Sequence, residues 1–254
     1  ISVLKSLIEA KTKRKKALMQ RLLTPPCESL TPSLRASETS AAIHNKVLDC
    51  HDLTASNLAM TEKNSKAKQS LRFAEFTDKW QEMRLGDICE ITTGSLNANA
   101  MVESGKFAFF TCAREVYAID NYAFDTEALL VSGNGANVGY IHYYKGKFNA
   151  YQRTYVLDKF SCDILFVKFF LDKYLKKRIA QEKNEGNTPY IVLSTLQDMN
   201  IVLPNSLAEQ KKIAQVLSAC DKEIELLKSK FQCLKTQKKG LMQRLLNGEV
   251  RVKC

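Results

Sequence analysis

The sequence predicts an α+β fold, in which one mixed, β-rich globular domain is flanked by long helices that form an antiparallel coiled coil. The first observation is a repeat: residues 1–23 and 224–246 are identical at 12 of 23 aligned positions. Both copies place apolar residues at steps of three and four, the spacing of a coiled-coil seam. Between the copies, short β-rich runs alternate with Gly and Asn turns. Two matching seams in one chain can pair with each other, which favours a helical frame around the central domain.

Residues 1–23 are predicted to form a partial coiled-coil helix. The apolar positions of its seam are Ile1, Leu4, Ile8, Leu18 and Leu22. Lys11 and Lys15 interrupt the seam with charge, so the pairing is either frayed there or fixed in one register. An ordinary amphipathic surface helix is the alternative. A spacer or dimerising helix is favoured because the chain carries a second, matching seam.

Residues 24–70 are predicted to be a linker, because their composition shifts abruptly to Ser, Thr, Ala and Asn without sustained periodicity. Met60 opens a polar stretch, which supports the hypothesis that a natural reading frame begins there. Four potential metal ligands fall in the linker, and their spacing matches no zinc pattern: Cys27, His44, Cys50 and His51. The sequence therefore predicts no metal site and no bound cofactor.

Residues 71–206 are predicted to form the globular domain. Strand-like runs occur at 89–92, 107–111, 128–132, 140–144, 153–157, 190–193 and 200–203. Residues 164–183 carry a helical pattern, with an apolar face opposite a lysine-rich face. The mixture predicts an α+β module and not a repeat of strand–helix units.

Residues 207–250 are predicted to form a long spacer helix in the coiled coil. Its apolar pattern is kept up from about residue 208 to residue 247, which corresponds to roughly 60 Å at 1.5 Å per residue. Gly248 follows the last periodic residue and supplies a stop signal. A domain of this size does not need such a helix for its own core.

The net charge of +11 is concentrated on the two helical segments. Residues 1–23 and 208–254 carry +6 each, residues 24–79 are balanced, and residues 80–207 carry −1. Basic helices are consistent with nucleic-acid phosphates or acidic partner surfaces, although solvated helix faces are also lysine-rich. No apolar run approaches the ~18 residues of a membrane span. The eight cysteines include no CxxC pair, which is typical of reduced thiols, so we expect a cytoplasmic protein without a membrane partner.

Four segments resemble type I restriction-modification specificity subunits. LRFAEFTDKWQEMRLGDICEITTGS (71–95) resembles the opening of a target recognition domain, and EGNTPYIVLSTLQDMNIVLP (185–204) resembles its end. LAEQKKIAQVLSACDKEIELL (207–227) and KKGLMQRLLNGEVRV (238–252) resemble the conserved helical region that follows. The most diagnostic pieces are EQKKIA at 209–214 and LMQRLL at 241–246.

The resemblance implies a non-catalytic reader of double-stranded DNA. Subunits of this family have two recognition domains joined by two antiparallel helices, and each domain reads one half of a split target. Methylation and cleavage belong to separate methyltransferase and restriction/translocase subunits. This sequence departs from the pattern, since it has one recognition domain and its first helix lacks an EQKKIA-like entry. It therefore resembles a distal half or a split half-subunit, and a homodimer through the helices stays open.

Candidate DNA-binding residues lie in Gly/Asn-rich turns and at strand ends, where side chains project from a rigid sheet. Arg can pair bidentately with guanine, and Asn or Gln with adenine. Any single one of these residues could equally be an ordinary polar turn group, so the prediction is for the set. The set comprises Thr93, Ser95, Asn97, Asn99, Arg114, Asn134, Asn137, Tyr151, Gln152, Arg153, Asn187 and Thr188. Phosphate contacts are considered for Lys168, Lys176, Lys177 and Arg178.

The sequence offers little for catalysis. The stretch GNGANVG at 133–139 has the wrong glycine spacing for a dinucleotide loop, and Tyr-rich β sequence follows it. The three histidines are isolated from any nucleophile or metal set, and no phosphate-binding P-loop motif occurs. The alternative to a DNA reader is therefore a non-catalytic coiled-coil protein-interaction scaffold without DNA selectivity.

Overall fold

A computed structural model describes residues 1–25, 71–182 and 190–248 of the 254-residue chain. Most of the predicted linker lies outside these residues, as do Met60 and the four potential metal ligands. The described helices are α1 (Ser2–Leu22), α2 (Leu85–Ile88), α3 (Ile164–Gln181), α4 (Leu193–Gln197) and α5 (Leu207–Leu246). The strands are β1 (Trp80–Arg84), β2 (Glu90–Thr93), β3 (Phe107–Phe110), β4 (Tyr117–Ile119), β5 (Phe124–Ser132), β6 (Ile141–Ala150), β7 (Thr154–Asp158) and β8 (Asn200–Pro204).

Six of the strands form one sheet in the order β2–β7–β5–β6–β3–β4. The β3–β6 pair is parallel and the other neighbours are antiparallel. The predicted α+β class is therefore confirmed, with the strands segregated into the centre of the chain and the long helices at its two ends.

The short connection between β6 and β7 shows that this sheet is strongly curved, because it joins opposite ends of β5. Phe148 of β6 lies opposite Phe124, whereas Thr154 of β7 lies opposite Ser132. Phe124 and Ser132 would be about 27 Å apart on a straight strand at ~3.4 Å per residue. The chain from Phe148 to Thr154 reaches at most about 21 Å, so a flat sheet could not make both pairings.

The curvature separates two apolar clusters on opposite faces of β5. Leu129 and Val131 face the main core, which α3 covers with Phe166, Phe170 and Leu175. The neighbouring residues Ala128 and Leu130 point the other way, to the inside of the curved sheet, where they pack with aromatic rings from β3 and β6. Members of this inner cluster are Phe110, Ala128, Leu130, Phe148, Ala150 and Val156.

A two-stranded sheet joins the beginning of the globular domain to its end. β1 and β8 are antiparallel, and Trp80 lies opposite Pro204. Trp80 is buried and its ring packs edge-on against Phe166 of α3 at 6.2 Å between centroids. The chain therefore enters and leaves the domain side by side, and α5 begins directly after β8.

The long helices pack side by side, as the repeat predicts. α1 has 21 residues and α5 has 40. Lys11 Nζ lies 2.6 Å from Glu223 Oε1, and Lys15 Nζ lies 2.5 Å from Asp221 Oδ1. The partner numbers fall as the α1 numbers rise, so the pair is antiparallel. Of the two interpretations of the seam lysines, the ion pairs favour a fixed register.

Both helices are anchored in the core of the globular domain. Leu22 and Leu23 at the end of α1 are buried, and the Tyr174 hydroxyl of α3 donates to the Leu23 carbonyl at 3.2 Å. The side chain of Gln210 in α5 donates to the Pro204 carbonyl at 2.8 Å, and it accepts from the amide of Asp163 at 2.8 Å. α5 ends at Leu246, and Gly248 has φ +73°, which agrees with the predicted stop.

One strand prediction is wrong. Residues 190–193 form an isolated bridge between Tyr190 and Asn134, after which α4 begins at Leu193. The Ile191 amide donates to the Gly133 carbonyl at 2.7 Å, and the Tyr155 hydroxyl donates to the Ile191 carbonyl at 2.9 Å. These contacts hold the segment across the ends of two strands and not alongside one.

Candidate nucleic-acid interface

The predicted DNA-binding residues that the structure describes meet at one edge of the curved sheet. They follow the ends of β2, β3 and β5 and occupy the turn from β6 to β7. We call this edge the rim and define it as residues 93–99, 112–114, 133–137 and 151–153. Residues far apart in sequence are thus brought together, as a composite surface requires.

The turn between β6 and β7 lies at the centre of the rim and contacts its other three segments. The Gln152 amide donates to the Leu96 carbonyl at 2.9 Å. The Arg153 carbonyl accepts from the Gly133 amide at 2.8 Å and from the Cys112 thiol at 3.3 Å. These bonds fix the strand ends relative to one another, so side chains on different segments keep defined spacings.

Gly94 lets the segment after β2 lie directly against the backbone of the β6–β7 turn. A Cβ atom at this position would lie 2.0 Å from the Ala150 carbonyl oxygen and 2.6 Å from that of Tyr151. Both neighbours are backbone atoms that strand pairing holds in place, so they cannot move aside. The segment after β2 can therefore reach the β6–β7 turn only with glycine here.

Most of the candidate side chains at the rim are open to solvent. Those classed as exposed are Thr93, Ser95, Asn97, Asn99, Arg114, Gln152 and Arg153. Asn134, Asn137 and Tyr151 are half-buried. The rim thus presents amides, hydroxyls and two guanidinium groups, the donors and acceptors that match base edges and phosphates.

Two side chains hold the loop that follows β3. Asn137 Nδ2 donates to the Cys112 carbonyl at 3.2 Å, and the contact between His142 Nε2 and the Ala113 carbonyl is 3.0 Å. Because a carbonyl only accepts, Nε2 carries the proton. The bond to Ala113 raises the pKa of His142, but burial lowers it by more, so the pKa lies below its ordinary value. The ring is therefore neutral at pH 7.

Arg114, the next residue of this loop, lies over an aromatic ring. Its guanidinium carbon is 5.6 Å from the centroid of Tyr140, and the Tyr140 ring packs edge-on against His142 at 4.8 Å. His142 also packs against Phe110, with 5.3 Å between the ring centroids. Sequence reasoning missed His142 and Tyr140, because Phe110, Ala113 and Arg114, which they contact, lie more than 25 residues earlier in the chain.

Asn187 and Thr188 lie outside the described residues. The described residue nearest to them on their C-terminal side, Tyr190, is exposed and pairs with Asn134 of the rim. Within the described chain, the 190–191 segment is thus a neighbour of the rim.

The apolar face of α3, opposite its lysine-rich face, packs against the turn from β5 to β6. A Cβ atom at Gly139 in this turn would be 2.6 Å from Ile179 Cδ1 of α3. Two of the four candidate phosphate contacts are engaged in ion pairs, Lys168 with Asp172 at 2.8 Å and Arg178 with Glu182 at 2.6 Å. Lys176 and Lys177 are exposed, and no ion pair involves them among the described residues.

Neither a metal cluster nor a membrane span is found in the described part of the chain. Residues 1–25, 71–182 and 190–248 contain no group of three or more His, Cys, Asp and Glu residues that could hold a metal ion. Among the same residues, no helix is long and apolar enough to cross a membrane.

Solved structures place this fold in one class of proteins. A crystal structure of the type I restriction-modification S subunit from M. genitalium superposes with a TM-score of 0.62 at 17% identity, covering 96% of this chain and 56% of that one. A structure from work on assembly and conformational transition of the type I R-M system gives 0.50 at 17% identity, covering 97% and 56%. At this identity the likeness shows the fold alone, which is that of a type I specificity subunit.

Sequence comparison then establishes the family. The sequence model of the type I restriction modification DNA specificity domain matches residues 77–236. The chain belongs to this family, as the resemblance of its four segments predicts. The family is named for DNA specificity, and the curated relatives are named as specificity subunits.

Two curated relatives illustrate the extent of the match. The specificity subunit of the type I restriction enzyme EcoDI from Escherichia coli is 38% identical over 176 residues, which are 67% of this chain and 38% of that protein. The MjaVIII specificity subunit from Methanocaldococcus jannaschii is 32% identical over 106 residues, 41% of this chain and 25% of that protein. The chain thus spans well under half the length of these relatives.

Proposed function

We propose that the chain reads one half of a bipartite DNA target and directs separate methyltransferase and nuclease subunits to it. In this proposal residues 71–206 are the target recognition domain, residues 207–250 are the spacer helix, and residues 24–70 are a linker. The rim contacts double-stranded DNA, and the protein acts in the cytoplasm without a cofactor.

The convergence of the candidate residues at the rim carries this proposal. Residues 80–207 have a net charge of −1, so a general electrostatic field cannot supply the affinity. Affinity and selectivity must come from polar side chains in defined positions and from a few cations. The rim offers such side chains on four chain segments that backbone and side-chain hydrogen bonds fix together.

The helices are proposed to set the distance between half-sites and to bind partners. α5 has 40 residues, which is about 60 Å of rigid helix at 1.5 Å per residue. Its exposed surface and that of α1 carry the positive charge of the chain. We propose that methyltransferase subunits bind along these helices, and that the restriction/translocase subunit joins through the assembled complex.

A homodimer through the helices is proposed from the two copies of the LMQRLL motif. In the first copy Leu22 and Leu23 are buried against the globular domain. In the second copy Leu241, Leu245 and Leu246 are 58%, 45% and 82% exposed. The same residues that one domain covers in the first copy are thus available to a second domain, which a second copy of the chain would supply.

A gel-shift experiment tests the proposed function. Random-sequence duplex is mixed with the full chain over a range of salt concentrations, alone and with the cognate methyltransferase. We expect sequence selection in the mixture. Indifference to DNA under both conditions would favour the scaffold alternative, in which the helices bind proteins and the rim reads nothing.

A further inference from the structure

We propose that His142 is a positioning residue that orients Arg114 for guanine recognition. This inference rests on the proposed function, since it assigns individual roles within the rim. His142 is not itself a base-reading residue: its ring is half-buried and neutral, and its Nε2 proton is engaged by the Ala113 carbonyl at 3.0 Å. It acts through the backbone of the residue that precedes Arg114.

The first step of the argument is that the His142 ring is itself immobilised. The rings of Phe110 and Tyr140 pack edge-on against it, with centroids at 5.3 and 4.8 Å and interplanar angles of 61° and 75°. Phe110 is buried in the inner cluster of the sheet, and Tyr140 lies directly before β6. A ring held by a core residue can fix a loop more rigidly than a solvated side chain can, because it has no alternative rotamer to occupy.

The second step is that the loop has several restraints before Arg114. The Ala113 amide donates to the Thr111 hydroxyl at 3.2 Å, and the Ala113 carbonyl accepts from His142. The preceding carbonyl, of Cys112, accepts from Asn137 at 3.2 Å. Of these bonds, the one from His142 lies closest to Arg114 along the chain, so it has the most direct control over the direction in which Arg114 leaves the loop.

The third step concerns the guanidinium group. It lies 5.6 Å from the centroid of Tyr140, so the ring that fixes His142 also supports Arg114. Arginine loses less conformational freedom on binding when it is held in advance, and bidentate pairing with guanine requires a defined plane for its fork. The Phe110, His142 and Tyr140 rings thus connect the inner core of the sheet to an exposed arginine at the rim.

The inference is tested by target selection from a randomised duplex pool, with the full-length protein and its cognate methyltransferase. Arg114→Ala should reduce discrimination at one base position by about 5- to 150-fold. His142→Phe keeps the ring packing but removes the donor, and we expect a loss of about 3- to 10-fold at the same position. His142→Gln, whose amide can reach the Ala113 carbonyl, should restore most of the preference.

Tyr143→Phe is the matched control, since Tyr143 is the next residue of β6, points to the other face and bonds Glu127 at 2.6 Å. It should leave every base preference unchanged. If His142→Phe unfolds the protein, His142→Leu, which also lacks the donor, takes its place and should weaken the same position.

The outcomes separate this inference from the proposed function. Should the wild-type protein select a sequence while His142→Phe weakens several positions or none, the positioning role is refuted and the DNA-reading function stands. Should Arg114→Ala leave all preferences intact, the inference also fails. If the wild type selects no sequence with its methyltransferase, the proposed function and the inference fail together.

Discussion

Glu209 is a fully buried carboxylate in the first turn of α5, and it binds one arginine through two hydrogen bonds. Arg72 Nε donates to Oε1 and Arg72 Nη2 donates to Oε2, both at 2.9 Å. Arg72 also donates to the Asp78 carbonyl. This pair fastens the segment before β1 onto α5, which gives the EQKKIA motif a structural role at the start of the helix.

We expect Glu209→Gln to lower the free energy of unfolding by about 3 kcal/mol, because it leaves the largely buried Arg72 charge uncompensated. The control is Asp198→Asn, which breaks the exposed pair with Arg84 at 3.6 Å and should cost no more than about 0.5 kcal/mol. Urea unfolding measures both. Equal effects of the two substitutions would contradict the conclusion that the buried Arg72–Glu209 pair stabilises the fold more than the exposed Arg84–Asp198 pair.

Lys173 lies where α1 contacts the globular domain, and its contribution to stability depends on pH. Its Nζ donates to the Gln20 carbonyl at 3.3 Å and to the Thr24 hydroxyl at 3.2 Å, and burial lowers its pKa from 10.5 to about 8. Between pH 8 and 10.5 the unfolded chain binds more protons at this residue than the folded one, so its contribution to stability rises with pH there.

We therefore expect the wild-type protein to gain stability relative to Lys173→Met as the pH is raised from 8 to 10. The upper limit is about 1.4 kcal/mol per pH unit, and contact with solvent reduces it. Urea midpoints of the two proteins at several pH values give the difference, in which the titration of all other groups cancels. A constant difference across this range would rule out the lowered pKa.

Arg153 tests which kind of contact a rim cation makes. If it pairs with guanine, Arg153→Ala should cost about 1–3 kcal/mol of binding free energy at one base position and leave the others unchanged. Affinities for duplexes that differ at single positions measure this. An equal loss across all sequences would instead identify a phosphate contact.

At the scale of elements, the paired helices illustrate what the sequence predicts well. Spacing alone locates α5 to within one residue at each end, because a 3.5-residue period kept up over 40 residues has few alternative explanations. The ion pairs of Lys11 and Lys15 were not readable from the sequence, since they depend on which register the two helices adopt.

The register prediction is tested by charge reversal. Lys15→Glu should destabilise the protein by about 1 kcal/mol, because it places a carboxylate against Asp221 in a partly exposed pair. Adding Asp221→Lys should recover most of this loss, and Lys16→Glu, which changes an exposed neighbour, is the control. A double-mutant cycle in urea gives the coupling energy. Its absence would exclude this register.

The strands show where sequence reasoning ends. β2, β3, β5, β6, β7 and β8 overlap predicted runs, whereas β1 and β4 were missed. β4 has only three residues, and β1 pairs with a strand more than a hundred residues later, so neither carries a local signal. The curvature that closes the rim is likewise a property of long-range pairing. The sequence identified candidate residues for the rim, but it did not predict that they meet.

At the scale of the whole molecule, positive charge and candidate base readers occupy different parts. The helices carry the surplus charge, and the domain that holds the rim is close to neutral. The described part of this domain has two exposed cations at the rim, Arg114 and Arg153, and two exposed lysines on α3, Lys176 and Lys177.

This division predicts a modest salt dependence. Even if all four of these cations contacted phosphates and neither arginine paired with guanine, the slope of log K against log salt would be no steeper than about −4 for the protein alone on duplex DNA. Titrations at several salt concentrations measure it. A slope of about −8 or beyond would mean that the basic helices themselves lie along DNA, which would remove their surfaces from the proposed methyltransferase partners.

The pairing of β1 with β8 has a consequence for how such proteins diversify. Trp80 and Pro204 stand opposite each other, so genetic crossover at these two points would exchange the entire curved sheet as a cassette. The incoming segment would bring its own pair of end strands, and it would join the same α5. Under the proposed function, new DNA targets would then arise by exchange of whole cassettes, without any compensating change in α1 and α5.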